Sequence, residues 1–224
     1  MRIIIKNGAN DLACKYFMGI ALNFTDQYKS RSFHDINRFK TVNMTDISGS
    51  TGYCSEKAAK EIRSRIQNIS LSEEHYLDNG NFHYLSYFFI ERIEEEFDLI
   101  VFDHHNDCQE PGLIPLLSCG SWVLDSLRDI PRLGEVYMYG PSSLPEIDSK
   151  YKEHIHLFSE NDMSVDFRLP DNGRPVYISI DLDILSKSEM DTVWDQGELK
   201  LCELEKCLSI LFDDCEVIGI DICG

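Results

Sequence analysis

Several features are missing from these 224 residues, and each absence narrows the reading. No run of about 18 apolar residues occurs, so no membrane span is expected. The eight cysteines (Cys14, Cys54, Cys108, Cys119, Cys202, Cys207, Cys215 and Cys223) show no CxxC spacing, which removes zinc ribbons and paired redox thiols. No Pro/Gly/Ser linker, internal repeat or low-complexity tract divides the chain, so one domain over residues 1–224 is expected. Positive charge is scarce. With 21 Lys and Arg against 39 Asp and Glu, the net charge of −18 disfavours nucleic acid or anionic membrane as a partner. The opening MRIIIKNGAND has too short an apolar run, and no small-residue cleavage site, for an export signal. A cytoplasmic protein with free thiols is the expectation, most of them acting as small buried hydrophobes.

What is present suits a folded core: 43% of residues are hydrophobic, with 12 Phe and 10 Tyr. The acidic excess has two readings. One is a solvated surface; the other is acids gathered around metal ions, whose charge a simple count omits. Apolar strand candidates at 2–6 (RIIIK), 98–103 (DLIVFD), 135–140 (EVYMYG), 175–185 (PVYISIDLDIL) and 216–222 (EVIGIDI) alternate with helical segments at 55–69, 83–97 and 198–214. Nearly continuous apolar strands are what parallel strands covered on both faces require. The expected fold is α/β, three-layer α/β/α with a mainly parallel central sheet, and its site should lie at the carboxyl ends of the strands.

Three clusters fall there. LIVFDHHNDC carries Asp103, His105 and Asp107 at alternate positions, which an extended backbone would turn to one side, with His104 and Asn106 opposite. Such nitrogen and oxygen donors suit a divalent ion such as Mn(II). Carboxylates capping nearby amides are the alternative for this stretch alone. YISIDLDIL places Asp181 and Asp183 two apart at the end of an apolar run, where buried carboxylates need compensating cations, and the nearest bases, Arg174 and Lys187, lie outside the strand. DNGNFHYLSYFF adds His83 at a helix start, a weak feature alone. Together these residues give six donors, suited to two adjacent divalent ions.

The motifs GNFHYLS, DHHND and SIDLD, in that order, resemble the signature of the ureohydrolases, the family of arginase, agmatinase and formimidoylglutamase. That signature reads Gly-Gly-Asp-His-Ser, Asp-Ala-His-x-Asp, then Ser-x-Asp-x-Asp. The first match is loose, keeping Gly80 and His83; the second replaces Ala with His104; the third is complete through Ser179, Asp181 and Asp183. The resemblance runs from about residue 78 to 224 and implies an arginase-like fold. It further implies that His83, Asp103, Asp107 and Asp181 hold one Mn(II) and that His105, Asp103, Asp181 and Asp183 hold the other. It also implies a small-molecule substrate and a homo-oligomer.

The chain departs from the family in three places. DILSKSEMDTVWDQGEL stands where the family has Asp-Pro and a Gly-rich loop, with WDQGEL presenting Gly197 before the last helix. The family's guanidinium-holding glutamate has Gly224 as its counterpart, and LLSCGSWV replaces the segment bearing arginase's shuttle histidine. The leading expectation is therefore a binuclear manganese hydrolase of a non-peptide C–N bond, acting through a metal-bridging hydroxide on a guanidino, amidino or acylamine substrate. Asp107 aligns the hydroxide, and His104 is the nearest candidate proton carrier, although strand alternation points it away. A mononuclear zinc deacylase of the histone-deacetylase type and a non-catalytic binding protein are the alternatives. His154 and His156 fit an edge strand or surface segment better than a zinc site. Trp122 and Trp194 fit either core or pocket lining. EEEF at 94–97 reads as a solvated helix end, and Cys108 and Cys119 as buried thiols flanking the site.

Overall fold

The computed structural model describes residues 19–29, 39–110, 112, 115–165, 167, 170 and 172–224. The expected strand at 2–6 and Cys14 lie outside them. Among the described residues, eight strands form one sheet: β1 (Gly19–Asn23), β2 (Phe39–Asn43), β4 (Glu74–Tyr76), β5 (Phe97–Phe102), β7 (Leu133–Gly140), β8 (Ile155–Ser159), β9 (Val176–Asp181) and β10 (Val217–Cys223). Their order is β2-β1-β4-β10-β9-β5-β7-β8, and every pairing is parallel. Two short strands, β3 (Tyr53–Cys54) and β6 (Leu117–Ser118), form a separate antiparallel pair.

Strand alternation sends side chains into two cores. Leu99, Val101, Met138 and Tyr177 face α1 (Glu56–Ile66), α2 (Leu85–Ile90) and α3 (Trp122–Asp129), which contribute Ile62, Phe88, Phe89 and Val123. Ile100, Phe102, Ile178, Ile180 and Ile220 face α6 (Leu201–Asp214), which contributes Leu204, Cys207, Leu208 and Leu211. Two one-turn helices, α4 (Ser149–Lys152) and α5 (Glu160–Val165), flank β8. Helices on both faces of a parallel sheet make the three layers expected from the apolar strands.

The central strands stand close to their expected bounds, but the expected helix at 83–97 is shorter. It ends at Ile90, followed by turns through which Arg92 reaches back to the carbonyls of Ile66 and Ile69. Phe97 already belongs to β5, since its N–H donates to the Arg132 carbonyl. Glu94, Glu95 and Glu96 are thus exposed residues of the connection to β5 rather than a helix end. The last helix begins at Leu201 instead of 198, because Leu199 is drawn into a parallel bridge with Leu185. His154 and His156 sit at edge strand β8, both paired with Glu135.

Candidate metal centre

The register of three central strands sets the site. Val101 of β5 lies opposite Ser179 of β9, and Ser179 opposite Asp221 of β10, so one residue row crosses the sheet. Two residues further, Asp181 stands opposite Cys223, and β5 runs out at Asp103. This rim is the carboxyl end of the sheet, and Asp103, Asp181, Asp183 and Cys223 on it are all buried.

Backbone amides hold the carboxylates in place. The N–H of His105 donates to Asp103 Oδ1 at 2.6 Å, that of Asp183 to Asp181 Oδ1 at 3.0 Å, and that of His104 to Asp183 Oδ1 at 3.1 Å. Each acid has one oxygen anchored and its second turned inward. Asp103 Oδ2 and Asp107 Oδ2 each lie 3.1 Å from His83 Nδ1, and Asp181 Oδ2 lies 3.6 Å from it. On the other side, His105 Nδ1 lies 3.0 Å from Asp183 Oδ2 and 3.5 Å from Asp103 Oδ1. The indole N–H of buried Trp122 donates to Asp107 Oδ2 at 2.7 Å. All six residues named from the sequence converge, in two groups that share Asp103.

The route differs from a continued strand. After Phe102 the chain turns, and Asp107 adopts a left-handed backbone with φ of 45°. Asp183 sits in a 3-10 turn (Leu182–Ile184) that Asp181 caps, not in the strand. An Asp side chain that captures an amide two residues on tightens the chain in this way. His104 does point away: its ring meets Glu160 at 3.3 Å, while Asn106 orders the loop through the Ser143 carbonyl and the Cys108 N–H.

Behind His83 runs a buried relay. Ser179 Oγ donates to Asp221 Oδ1 at 2.6 Å and so accepts from His83 Nε2, 2.9 Å away. With one proton held on Nε2, Nδ1 is the atom left facing the carboxylates, and its lone pair becomes available to a cation once the second ring proton leaves. That nitrogen is buried and has no hydrogen-bond partner. Nitrogen and carboxylate oxygens facing one another there call for positive charge between them, either a proton or a metal ion.

The electrostatics agree. Burial, then repulsion from Asp183 and Asp103, raises Asp181; burial and Asp103 likewise raise Asp183. Burial opposes the charged form of His83, yet neighbouring Cys223, Asp103 and Asp107 carry it well above the ordinary imidazole range. Hydrogen bonds to Asp103 and Asp183 push His105 up to about 12. These imidazoles stand in for missing positive charge. Among the described residues no Lys or Arg pairs with Asp103, Asp107, Asp181 or Asp183. Three sets of ligand atoms lie close enough to hold an ion: His83 with Asp103 and Asp107; Asp103 with His105 and Asp183; and His83 with Asp181 and Cys223. The donors therefore fit one or two divalent cations.

The 186–198 segment packs against the centre. Gly197 N–H donates to the Asp183 carbonyl at 2.8 Å, and Asp195 meets His105 Nε2 at 3.1 Å. Trp194, half-exposed, leans over Gly80; a Cβ there would fall 2.8 Å from its ring and 3.0 Å from Asp181 Oδ2, so glycine is required. Gly224 has φ of +112°, and a Cβ on it would fall 2.8 Å from Asp181 Oδ1. A side chain at this position would be strained. Cys108 is buried, and burial pushes the Cys119 thiol up to about 11, which disfavours a nucleophilic role for either. Sequence reasoning left out Asp221, Cys223, Glu160, Asp195 and the Trp122–Asp107 bond, all of which depend on register or on long-range packing.

The fold and the site together define the class: an arginase-like α/β/α scaffold bearing a buried His/Asp/Cys cluster able to coordinate one or two metal ions. No family model matches the sequence. Among solved structures it is similar to arginase from Bacillus cereus (TM-score 0.64, 14% identity, 92% of this chain and 88% of that one). It is equally similar to agmatine ureohydrolase of Thermoplasma volcanium (TM-score 0.64, 13% identity, 100% and 86%). Formimidoylglutamase from Bacillus subtilis matches at a TM-score of 0.62 and 16% identity, over 83% and 63%. In sequence the chain is 35% identical over 150 residues to an uncharacterized protein of Thermotoga maritima, matching 66% of this chain and 56% of that relative's length. The chain thus spans little more than half the length of that relative.

Proposed function

We propose that the protein is a metal-dependent hydrolase of non-peptide C–N bonds, with guanidino, amidino or acylamine groups as the substrate class. The observation that carries this reading is the unpartnered Nδ1 of His83, buried against two carboxylate oxygens at 3.1 Å and held in that tautomer by Ser179 and Asp221. His83, Asp103, Asp107 and Asp181 would hold one divalent ion, and His105, Asp103, Asp181 and Asp183 the second. The nitrogen and oxygen donors among them suit Mn(II). Bound there, such ions supply Lewis acidity and bring the pKa of water toward neutrality.

The protein's own groups supply the rest. Amide-anchored oxygens keep the carboxylates from swinging away, and Trp122 sets the plane of Asp107 so that its other oxygen can accept a hydrogen bond. Apolar strands below exclude water from the floor. Trp194 and Asp195 lie beside His105, and an aromatic face and a carboxylate there would suit a planar cationic group. His104 is the candidate proton carrier named from the sequence; with its ring turned to Glu160, it would have to swing inward to serve. His104→Gln should lower turnover by about 10²- to 10⁴-fold with metal content unchanged, as for loss of a general acid.

The test is to load the protein with Mn(II) and assay guanidines, amidines and acylated amines for released urea, ammonia or amine. Turnover of one class supports the reading. No turnover of any class at full metal occupancy favours a non-catalytic scaffold. The zinc deacylase alternative does not need His83, and Asp103, His105 and Asp183 could hold its single ion; one zinc per chain, unaffected by His83→Ala, would overturn the two-ion reading. The second group around His83 favours two ions.

A further inference from the structure

The donor set on the His83 side is not confined to nitrogen and oxygen. Cys223 and Asp181 are direct cross-strand partners on β10 and β9, and parallel strands in register turn paired residues to the same face. The Cys223 thiol accordingly lies 3.1 Å from Asp181 Oδ2, the oxygen that also faces His83. Sγ, a carboxylate oxygen of Asp181 and a ring nitrogen of His83 all fall within 4.8 Å of one another. Cys223 is 1% exposed, so the sulfur reaches no solvent. The independent sign of a ligand is again His83 Nδ1, buried, unpartnered and aimed into the same space.

We propose that Cys223 is a sulfur ligand of the His83-side cation, so that this position takes a thiophilic divalent ion (zinc, cobalt(II) or iron(II)) in preference to manganese. The inference rests on the metal-centre reading above and deepens it. The two positions then differ in character. The His105 side offers only imidazole and carboxylate, whereas the His83 side adds a soft donor, and thiolate favours zinc over manganese. Coordination forms a metal–sulfur bond and breaks the S–H bond; the proton passes to buffer and no electron moves. The competing description is a small buried side chain whose S–H donates to Asp181.

The full-length protein, stripped of metal and titrated with cobalt(II), separates the two. A thiolate-to-cobalt charge-transfer band should grow with the first or second equivalent, vanish in Cys223→Ser and persist in Cys119→Ser and Cys202→Ser. On the unmodified zinc form, X-ray absorption should find one sulfur at about 2.3 Å, a result independent of whether any variant folds. In competition, Cys223→Ser should reduce the preference for zinc over manganese by about 10- to 100-fold, at least the loss seen for groups that merely orient a ligand. Cobalt bound at full stoichiometry with no band, or a band that survives Cys223→Ser, overturns the proposal and leaves the metal centre standing. Failure to bind manganese, zinc or cobalt overturns both.

Discussion

Strand β5 carries a buried acid at each end, and the two are treated oppositely. At its start, fully buried Asp98 accepts from the Glu135 N–H at 2.9 Å and the Asn172 amide at 2.5 Å, with the Arg174 guanidinium 3.4 Å away. At its far end, Asp103 has one backbone amide and otherwise meets only imidazoles and other carboxylates. Five residues apart, one acid is met by a guanidinium and the other only by imidazoles, whose protons a metal ion can replace. A carboxylate kept for architecture is given a base and donors. Acids crowded together with imidazoles but no Lys or Arg, on amides that hold them in position, are set up for metal ions.

The largest break in that comparison should come from Asp103→Asn, since Asp103 belongs to both ligand groups. Affinity for divalent cations should fall by more than about 100-fold, beyond the loss for an orienting group, as read by calorimetric titration. Ser179→Ala should weaken metal binding by about 10- to 100-fold while leaving every ligand present, because His83 loses the acceptor that fixes its tautomer. Unchanged affinity would remove the relay from the account. Arg174→Ala tests the opposite end: it should cost about 1–3 kcal/mol of stability in urea unfolding, as a buried acceptor loses a charged partner, with metal affinity unaltered.

The smallest effect concerns pH. Burial raises Asp221 to about 6 from an ordinary 3.8, against the opposing Ser179 bond. The folded metal-free protein therefore holds this proton more tightly than the unfolded chain. The associated stability is complete below pH 4 and lost as pH rises toward 6. Asp181 and Asp183 are shifted in the same direction and add to the trend. Asp221→Asn should flatten part of the slope in thermal unfolding across that window. Divalent cations should reverse the slope, since they bind the deprotonated carboxylates.

The legible part of the molecule was the part with strong contrast. Apolar runs ending in acids marked β5 and β9, and Asp103, His105, Asp107, Asp181 and Asp183 stood out against them. His83 was readable only through its company. The outer strands carried no such signal. β2 is the polar, largely exposed stretch FKTVN at an edge, β4 has only three residues, and β1 is a short apolar stretch with no marked end. Asp221, Cys223 and Trp122 were beyond reach for a different reason. Their roles come from β9–β10 register and from contacts across 42 and 15 positions, which spacing along the chain does not encode. The turns that bring Asp107 and Asp183 inward replaced the extended strand assumed for both, yet the same residues meet.

The most direct test is equilibrium dialysis of the metal-stripped protein against manganese and zinc, followed by elemental analysis. The account expects about two divalent ions per chain for the unaltered protein, as carboxylate-bridged pairs hold, and fewer than one for Asp103→Asn. A chain that retains none, at concentrations where it remains folded, would mean that the acids on this rim neutralise themselves through protonated His83 and His105, contradicting the central claim.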